Sequence, residues 1–263
     1  MAVHISKWAA LAFGPAVILP VLLGDTQLGR NEGLWCGLLS VLLGQCGVLA
    51  YDFLRPPGLS VQLGGRAPYD WYAAAKLHLG RTKGLVLLGL YLIGTWQAEV
   101  MPPCYYRGGL EWRAVVAQLL LTDALQFAVH RLQHIFRVVF RASHQSHHRI
   151  TNPRIFDAFD GSLADTALMV LVPLWITAQV IEANLASYIA FGSLYAVGLV
   201  LIHSEVHHPW DQVFAAAGVG TPADHHVHHL LRGYNYGHLV TWWDRACETY
   251  KPPATLLGLT TRD

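Results

Sequence analysis

Long apolar runs separated by short polar segments dominate the first part of the chain. Two such runs, 8–24 and 34–54, flank the polar stretch 25–33. A helix of about 20 apolar residues crosses a bilayer, and prolines such as Pro15 and Pro20 are tolerated in membrane helices. The first run ends without a good small-x-small site, so it is expected to remain as an uncleaved helix. The pattern predicts a hairpin of two membrane helices.

The middle of the chain is less regular. The stretch 55–83 is the longest polar insert and carries five of the basic residues. Within it, 69–79 mixes aromatic and apolar side chains with charges, which is typical of a short helix in the headgroup region. A solvated loop is the alternative. The run 84–96 is apolar but short for a full crossing, and 102–106 is a turn rich in interfacial aromatic residues.

The second half contains three more apolar runs. The first starts at Ala114 and leads into His130, and the others span 164–181 and 185–202 with a short polar break between them. These last two runs predict a second membrane hairpin. Because a hairpin goes out and returns, it brings His203 back to the side of the membrane that holds His130.

The basic residues give the orientation of the six predicted crossings. With both termini on one side, the far-side loops hold three of the 18 lysines and arginines, namely Arg30, Arg107 and Arg113. All the others fall on the side that holds the histidines. Because cytoplasmic loops are enriched in Lys and Arg, the histidines are predicted to face the cytosol. If 84–96 does not cross, a re-entrant segment from Ala114 leaves the histidines on the same side.

Composition agrees with a membrane protein. Hydrophobic residues make up 53% of the 263 residues, charged residues 13%, and the mean hydropathy is +0.33. A formal net charge of +1 gives no reason to expect a nucleic-acid partner. The four cysteines (Cys36, Cys46, Cys104 and Cys247) are scattered without a C-x-x-C motif, so cysteine is not predicted as a metal ligand.

Ten of the 15 histidines fall into four groups with regular spacing. Two groups are H-x3-H pairs and two are H-x2-HH triplets: His130 and His134; His144, His147 and His148; His203 and His207; His225, His228 and His229. On a helix, residues three and four apart lie on one face, so each group is expected to aim its imidazoles at one point. One histidine or one pair would be explained as an ordinary core or surface feature. Four groups together predict two metal ions, because neutral imidazole suits iron, zinc, copper and nickel.

The remaining histidines fit these spacings less well. His208, His226 and His238 are candidates for roles beside the metals. His4 and His78 are interpreted as ordinary interfacial or loop residues.

Asp123 is a candidate site residue because a carboxylate in a membrane helix needs a partner. It lies seven residues before His130 and shares its helix face. Metal-bound imidazole usually donates its other N–H to such a group, so a ligand histidine is the predicted partner. An aspartate at the membrane surface is the alternative.

At these residues the chain resembles the fatty acid hydroxylase/sterol desaturase superfamily of integral-membrane, histidine-rich di-iron oxygenases. The last triplet is followed by Asn235-Tyr236-Gly237 and then by Trp243-Asp244-Arg245, as in that superfamily. The resemblance runs from about Asp123 to Tyr250. The segments 159–162 and 246–250 depart from its usual patterns and leave the subfamily open. Asn235 and Asp244 are expected to support the site, with the tight turn packed on His229.

The resemblance implies an all-α integral membrane bundle of about four to six transmembrane helices with a cytosolic, histidine-rich, metal-binding helical cap. Residues 1–113 would form N-terminal membrane helices with a basic cytosolic loop, and 114–263 the catalytic domain. It implies two iron ions, or zinc as purified, and O2 as co-substrate. The reaction would be hydroxylation or desaturation of a lipid, sterol or terpenoid in the bilayer, in the endoplasmic reticulum of a eukaryote.

Electrons would come from an external donor of the cytochrome b5, ferredoxin or reductase type, because no nucleotide fingerprint is present. A basic group of residues can receive an acidic carrier or face anionic lipid headgroups: Arg131, Arg137, Arg141, Arg149 and Arg154.

Two functions from other classes remain as alternatives. A zinc-dependent membrane hydrolase needs a general-base carboxylate beside the histidines, and only Glu205 lies between the members of a pair. A metal transporter or sensor would place its ligands near the bilayer midplane, whereas these histidines lie at helix ends and in polar segments.

Overall fold

The computed structural model of the chain describes residues 2–62, 70–80, 82–98, 100–102 and 109–255. Within these ranges the chain is helical and holds no strand; two isolated bridges join Ser60 to Val206 and Val219 to Val240. The predicted all-α class is confirmed. Most of the predicted aromatic turn, residues 103–106, lies outside the described residues.

The described part of the chain contains twelve α-helical segments. They are α1 (Ala2–Leu23), α2 (Arg30–Leu54), α3 (Trp71–Gly80), α4 (Thr82–Gln97), α5 (Trp112–Ile135), α6 (Arg137–Val139), α7 (Leu163–Thr166), α8 (Val172–Val180), α9 (Leu185–Leu201), α10 (Asp211–Ala216), α11 (Pro222–Leu231) and α12 (Trp242–Ala246). Two π-helical turns (Phe140–His144 and Ala167–Leu171) and three 3₁₀ turns (His147–Arg149, Ile155–Asp157 and Pro253–Thr255) complete the set. The helix predicted within 69–79 is present as α3, and its place in the headgroup region stays a prediction.

The chain forms two compact units, each assembled from separate stretches. The first unit comprises residues 1–54, 82–122 and 167–198, and the second comprises 55–81, 123–166 and 199–263. The division proposed from the sequence, after residue 113, separates N-terminal membrane helices from a catalytic domain. It stays a prediction.

Small residues let α1 and α2 pack closely in the first unit. A Cβ on Gly44 would lie 3.2 Å from the Cβ of Ala16, and one on Gly47 would lie 2.7 Å from Cγ of Pro15. Ser40 Oγ donates a hydrogen bond of 3.0 Å to the carbonyl of Ala16. Small residues and interhelical hydrogen bonds are typical of helix contacts inside membranes. The N-terminal hairpin is present as predicted, with two prolines inside α1.

Three helices are long and apolar enough to cross a membrane. By length and composition these are Ile5–Leu23, Arg30–Leu54 and Leu163–Val180, all within the described part of the chain. Two more, Val86–Gln97 and Leu185–Leu201, are apolar but shorter. The membrane character predicted from the sequence is therefore confirmed, whereas the number of crossings stays a prediction.

In the second unit, α11 has a well-defined start and end. Thr221 Oγ1 accepts from the backbone N of Asp224, and Asp224 Oδ2 accepts from the backbone N of Thr221 at 3.0 Å, which forms a capping box. Pro222 occupies the first turn, and Arg232 closes the helix in the left-handed conformation with φ 60°. These caps fix the helix that carries the last histidine triplet.

Candidate metal centre

Nine of the ten histidines predicted as ligands lie close together in the second unit. His130 and His134 are one turn apart near the end of α5. His144 ends the first π-helical turn, and the 3₁₀ turn that follows begins with His147 and His148. The others come from the residues after α9 and from α11: His203, His225, His228 and His229.

These nine histidines form two neighbouring clusters. In each cluster, one ligand atom per histidine lies within 4.8 Å of the others. The five-histidine cluster contains His130, His134, His144, His148 and His228, and the four-histidine cluster contains His147, His203, His225 and His229. All are buried except His134, which is half-buried.

Each H-x2-HH triplet is divided between the clusters, which corrects the expectation that each triplet aims at one point. His144 and His148 join the five-histidine cluster, and His147 between them joins the other. On α11 the division is reversed: the outer two histidines join the four-histidine cluster, and His228 joins the five-histidine cluster. Each triplet therefore links the two sites.

Backbone carbonyl groups fix the orientation of most of these rings. The Nδ1 contacts are His130 to Tyr236 O (2.8 Å), His228 to Tyr234 O (2.8 Å), His203 to Leu199 O (2.6 Å), His229 to Ile150 O (2.8 Å) and His147 to Asp160 O (3.2 Å). A carbonyl oxygen can only accept, so Nδ1 of each ring donates and carries the proton. In a neutral ring, Nε2 then presents a lone pair to the centre of its cluster.

The Nε2 atoms lie closer together than lone pairs tolerate without a shared cation. Nε2 of His130 and Nε2 of His144 are 2.9 Å apart, and those of His147 and His203 are 3.4 Å apart. With their protons on Nδ1, these nitrogens cannot hydrogen-bond to each other. A metal ion among them turns this repulsion into coordination, and all-imidazole donors suit iron or zinc. The residues therefore fit two bound metal ions.

Burial favours the neutral form of His147, His225, His228 and His229, which is the form that binds a metal. Burial, followed by the neighbouring His144, lowers the pKa of His147 to about 4. Burial likewise lowers the pKa values of His225, His228 and His229 well below the usual value. At neutral pH these rings carry no charge that would repel a cation.

A family model described as fatty acid hydroxylase matches residues 115–249, about half of the chain, including all nine clustered histidines. The chain belongs to the fatty acid hydroxylase family. The resemblance seen in the sequence is confirmed, and so is the predicted class of membrane oxidoreductase.

Three relatives illustrate the range of this fatty acid hydroxylase family. The chain is 43% identical over 232 residues to the alternative squalene epoxidase of Phaeodactylum tricornutum, covering 84% of this chain and 67% of that protein. It is 30% identical over 140 residues to a Delta(7)-sterol 5(6)-desaturase of Eremothecium gossypii, covering 51% of this chain and 36% of the other. It is 31% identical over 151 residues to lathosterol oxidase of Rattus norvegicus, covering 55% and 47%. The chain thus spans less than half the length of either sterol enzyme. No solved structure matches the chain.

In this family member, Asp123 does not touch a ligand histidine, which corrects its predicted partner. Its carboxylate accepts from the backbone N–H groups of His238, Leu239 and Val240 and from Nε1 of Trp243. Asp123 and His130 are seven residues apart on α5, so their Cα atoms are separated by roughly 10 Å along the helix axis. This is too far for the two side chains to form a hydrogen bond. Asp123 holds the loop that follows Gly237.

The carboxylate that does contact a clustered histidine is Asp165, which the sequence reasoning missed. Its Oδ1 lies 2.8 Å from Nδ1 of His144. The signal was present, since Asp165 is an acidic residue inside the apolar run 164–181, and the rule applied to Asp123 also applies to it.

Asn235 and Asp244 hold the Asn-Tyr-Gly turn, and their expected role in supporting the site stays a prediction. Asn235 has φ 54° and donates from Nδ2 to the carbonyl groups of Asp224 (3.1 Å) and Lys251 (2.9 Å). Asp244 accepts from the backbone N–H groups of Tyr236 and Gly237 at 2.9 and 2.7 Å. The turn thereby presents the two carbonyl groups that accept from His130 and His228.

His207 is the predicted ligand that the structure leaves outside both clusters. The H-x3-H argument assumes a helix, but α9 ends at Leu201. Residues 205–207 instead pair with a remote segment, where the backbone N of His207 donates to Leu59 O at 2.9 Å. Nδ1 of His207 faces Asp211 Oδ2 at 3.4 Å.

The other candidate histidines also lie outside the clusters. Nε2 of His208 is 3.1 Å from Leu201 O, and Nε2 of His226 is 3.2 Å from Pro153 O. His238 is buried beside both clusters, with ring centroids 4.9 Å from His130 and 5.1 Å from His225. The side chains of His4 and His78 lie outside the described residues.

Proposed function

We propose that the chain is a membrane-bound di-iron oxygenase that converts squalene to its epoxide with O2. The observation that carries this proposal is the extent of similarity to the alternative squalene epoxidase. An alignment of 232 residues cannot fit within the family match at 115–249, so it also includes part of the chain before residue 115. The sterol enzymes match only about half of the chain. We therefore assign squalene as the substrate, because the similarity to the alternative squalene epoxidase covers more of the chain.

The two histidine clusters are the proposed iron sites. Bound iron would supply the activation of O2 with two electrons from outside. The chain's own contribution is to orient imidazole rings through Nδ1–H bonds and to exclude water by burial. The overall reaction consumes squalene, O2, two electrons and two protons, and it forms one epoxide and one water.

The electron donor is proposed to be an external protein of the cytochrome b5, ferredoxin or reductase type at a cytosolic face. Three members of the basic group named from the sequence, Arg137, Arg141 and Arg149, are exposed and available to an acidic carrier. A chain from a eukaryote would lie in the endoplasmic reticulum, with residues 114–263 as the catalytic domain.

The hydrolase alternative is weakened by the position of Glu205. Its carboxylate accepts from Arg55 at 2.9 Å and from the backbone N of Ile155 at 3.4 Å. A general base committed to a half-buried arginine is poorly placed to activate water at the histidines.

Product analysis tests the proposal. Membranes that contain the chain, a reductase with its electron donor, squalene and ¹⁸O2 are expected to form squalene epoxide with one ¹⁸O atom. A His228→Ala variant is the control, because it lacks a ligand of the five-histidine cluster. A desaturated sterol formed from a Δ7-sterol, with no epoxide from squalene, would instead assign the desaturase reaction of the other relatives. Formation of neither product would refute the proposal.

A second prediction concerns the path of an apolar substrate. The apolar runs of α5 and α9 lead to His130 and His203, and we propose that they line this path. A Cβ on Gly192 of α9 would meet no atom within 4 Å, so there is room beside it. Gly192→Trp should fill this room and lower turnover by about 100-fold, the cost of a misplaced substrate, while both metals stay bound.

Gly192→Ala is the matched control and should keep full turnover, because one methyl group fits the open space. Ala124→Trp tests the apolar run of α5 in the same way. Turnover and metal content are measured on the same preparations. Full turnover in both tryptophan variants would contradict a substrate path along these helices.

A further inference from the structure

The environment of His144 differs from that of the other clustered histidines. His130, His147, His203, His228 and His229 point Nδ1 at neutral backbone carbonyl groups. His144 instead points Nδ1 at the carboxylate of Asp165, at 2.8 Å. A charge-assisted hydrogen bond of this kind is roughly twice as strong as a neutral one.

The carboxylate of Asp165 is held firmly in place. It is buried, and its Oδ1 also accepts from Nε2 of Gln133 at 3.2 Å. The backbone N of Asp165 donates to Ser162 Oγ at 3.0 Å. A Cβ on Gly161 would approach Asp165 Oδ2 to 2.8 Å, so the chain passes the carboxylate at a position where a side chain does not fit. This is a built contact rather than a chance approach.

His144 is central to the five-histidine cluster. Its Nε2 lies 2.9 Å from Nε2 of His130 and 3.0 Å from Nε2 of His148. A carboxylate that accepts Nδ1–H raises the basicity of the opposite nitrogen, because negative charge accumulates on the ring. The strengthened donor atom therefore points to the place where a metal in this cluster must sit.

Among the described residues, no carboxylate accepts from Nδ1 of a histidine in the four-histidine cluster. His147, His203 and His229 face neutral carbonyl groups, and Nδ1 of His225, like Nδ1 of His148 in the other cluster, has no described hydrogen-bond partner. This cluster also supplies one imidazole fewer. Both differences weaken its hold on a cation relative to the five-histidine cluster.

We infer that Asp165 is a positioning residue that makes the two metal sites unequal. Through His144 it makes the five-histidine cluster the tighter site, whereas the metal in the four-histidine cluster exchanges first. This inference rests on the proposed function only in that both clusters bind metal.

The test measures zinc release from the full-length protein in detergent after loading with Zn²⁺. A chromogenic chelator in excess should remove zinc from the wild type in two phases of equal size. Asp165→Asn keeps the shape of the side chain and an oxygen for Nδ1–H but loses the charge. It should accelerate the slow phase by about 10-fold to 100-fold, the usual cost of losing a group that supports a metal ligand, and leave the fast phase unchanged.

Two further variants make the result specific. His203→Gln should remove the fast phase, which assigns that phase to the four-histidine cluster. Asp165→Glu keeps the charge, so its slow phase should be slower than that of Asp165→Asn and faster than that of the wild type. Asp211→Asn is the matched control: it removes another buried carboxylate that faces a histidine, His207, outside both clusters. Neither phase should change in this control.

Several outcomes would overturn the inference. One is release of both zinc ions in a single phase from the wild type, and another is uptake of fewer than two zinc ions. Equal acceleration of both phases in Asp165→Asn would mean that Asp165 only supports the fold, and no acceleration would mean that its charge is irrelevant. Zinc release requires no substrate, so failure to form squalene epoxide would refute the proposed function and leave this result intact.

Discussion

Replacing His203 with alanine is expected to remove one of the two proposed metals and to lower the proposed squalene epoxidation more than about 100-fold, beyond the usual cost of losing a group that merely supports a ligand. His203 is buried and belongs to the four-histidine cluster, where only three imidazoles would remain. His207→Ala is the matched control, because it is the other member of the same H-x3-H pair. His207 lies outside both clusters, so the His207→Ala variant should retain both metals.

Metal content per chain, measured by elemental analysis on protein of equal monodispersity, decides between the two positions. The sequence motif treats His203 and His207 as equivalent, whereas the structure separates them. Equal loss of metal in both variants would mean that His207 is a ligand and that the division into five and four histidines is wrong.

The sequence was sufficient to identify the nine clustered histidines, because their chemistry is local. On α11, residues three and four apart share a helix face, so the spacing brings His225, His228 and His229 together. The spacing could not divide them between two metals. Around the helix axis, a residue three positions after the first lies about 60° to one side of it, and a residue four positions after lies about 40° to the other side. Histidines from other segments determine which cluster each of them joins.

The errors at His207 and Asp123 arise from long-range contacts. The prediction for His207 requires α9 to continue, but the chain after Leu201 turns and pairs with residues near Leu59, which no local pattern reveals. The rule that a carboxylate in a membrane helix needs a partner was correct for Asp123. Its partners are backbone amides more than 100 residues later in the chain, and no side-chain spacing records them.

The second large effect is expected at Asp123, through stability rather than through the metal. Asp123 is buried, and its carboxylate accepts four hydrogen bonds, from the backbone N–H groups of 238–240 and from Nε1 of Trp243. Asp123→Leu leaves all four donors without this acceptor, and the donors on His238 and Val240 are in fully buried hydrogen bonds. At about 1–3 kcal/mol for each unsatisfied group, the loss is roughly 4 kcal/mol or more. Folded domains have only about 5–15 kcal/mol of stability, so this loss removes a large share of it and should lower the unfolding temperature markedly relative to the wild type.

Two milder variants separate this account from a role at the metal. Asp123→Asn keeps one acceptor oxygen but turns an NH2 group toward donors, so it should be destabilised less than the leucine variant. Trp243→Phe removes one donor while the carboxylate keeps three, and it should cost about 1 kcal/mol. Thermal unfolding in detergent should show the largest destabilisation for Asp123→Leu and smaller ones for Asp123→Asn and Trp243→Phe. The protein that remains folded should keep its metal content. If Asp123→Asn instead unfolds like the wild type but loses metal, then Asp123 acts on a ligand histidine, because only a role at the metal separates metal binding from stability.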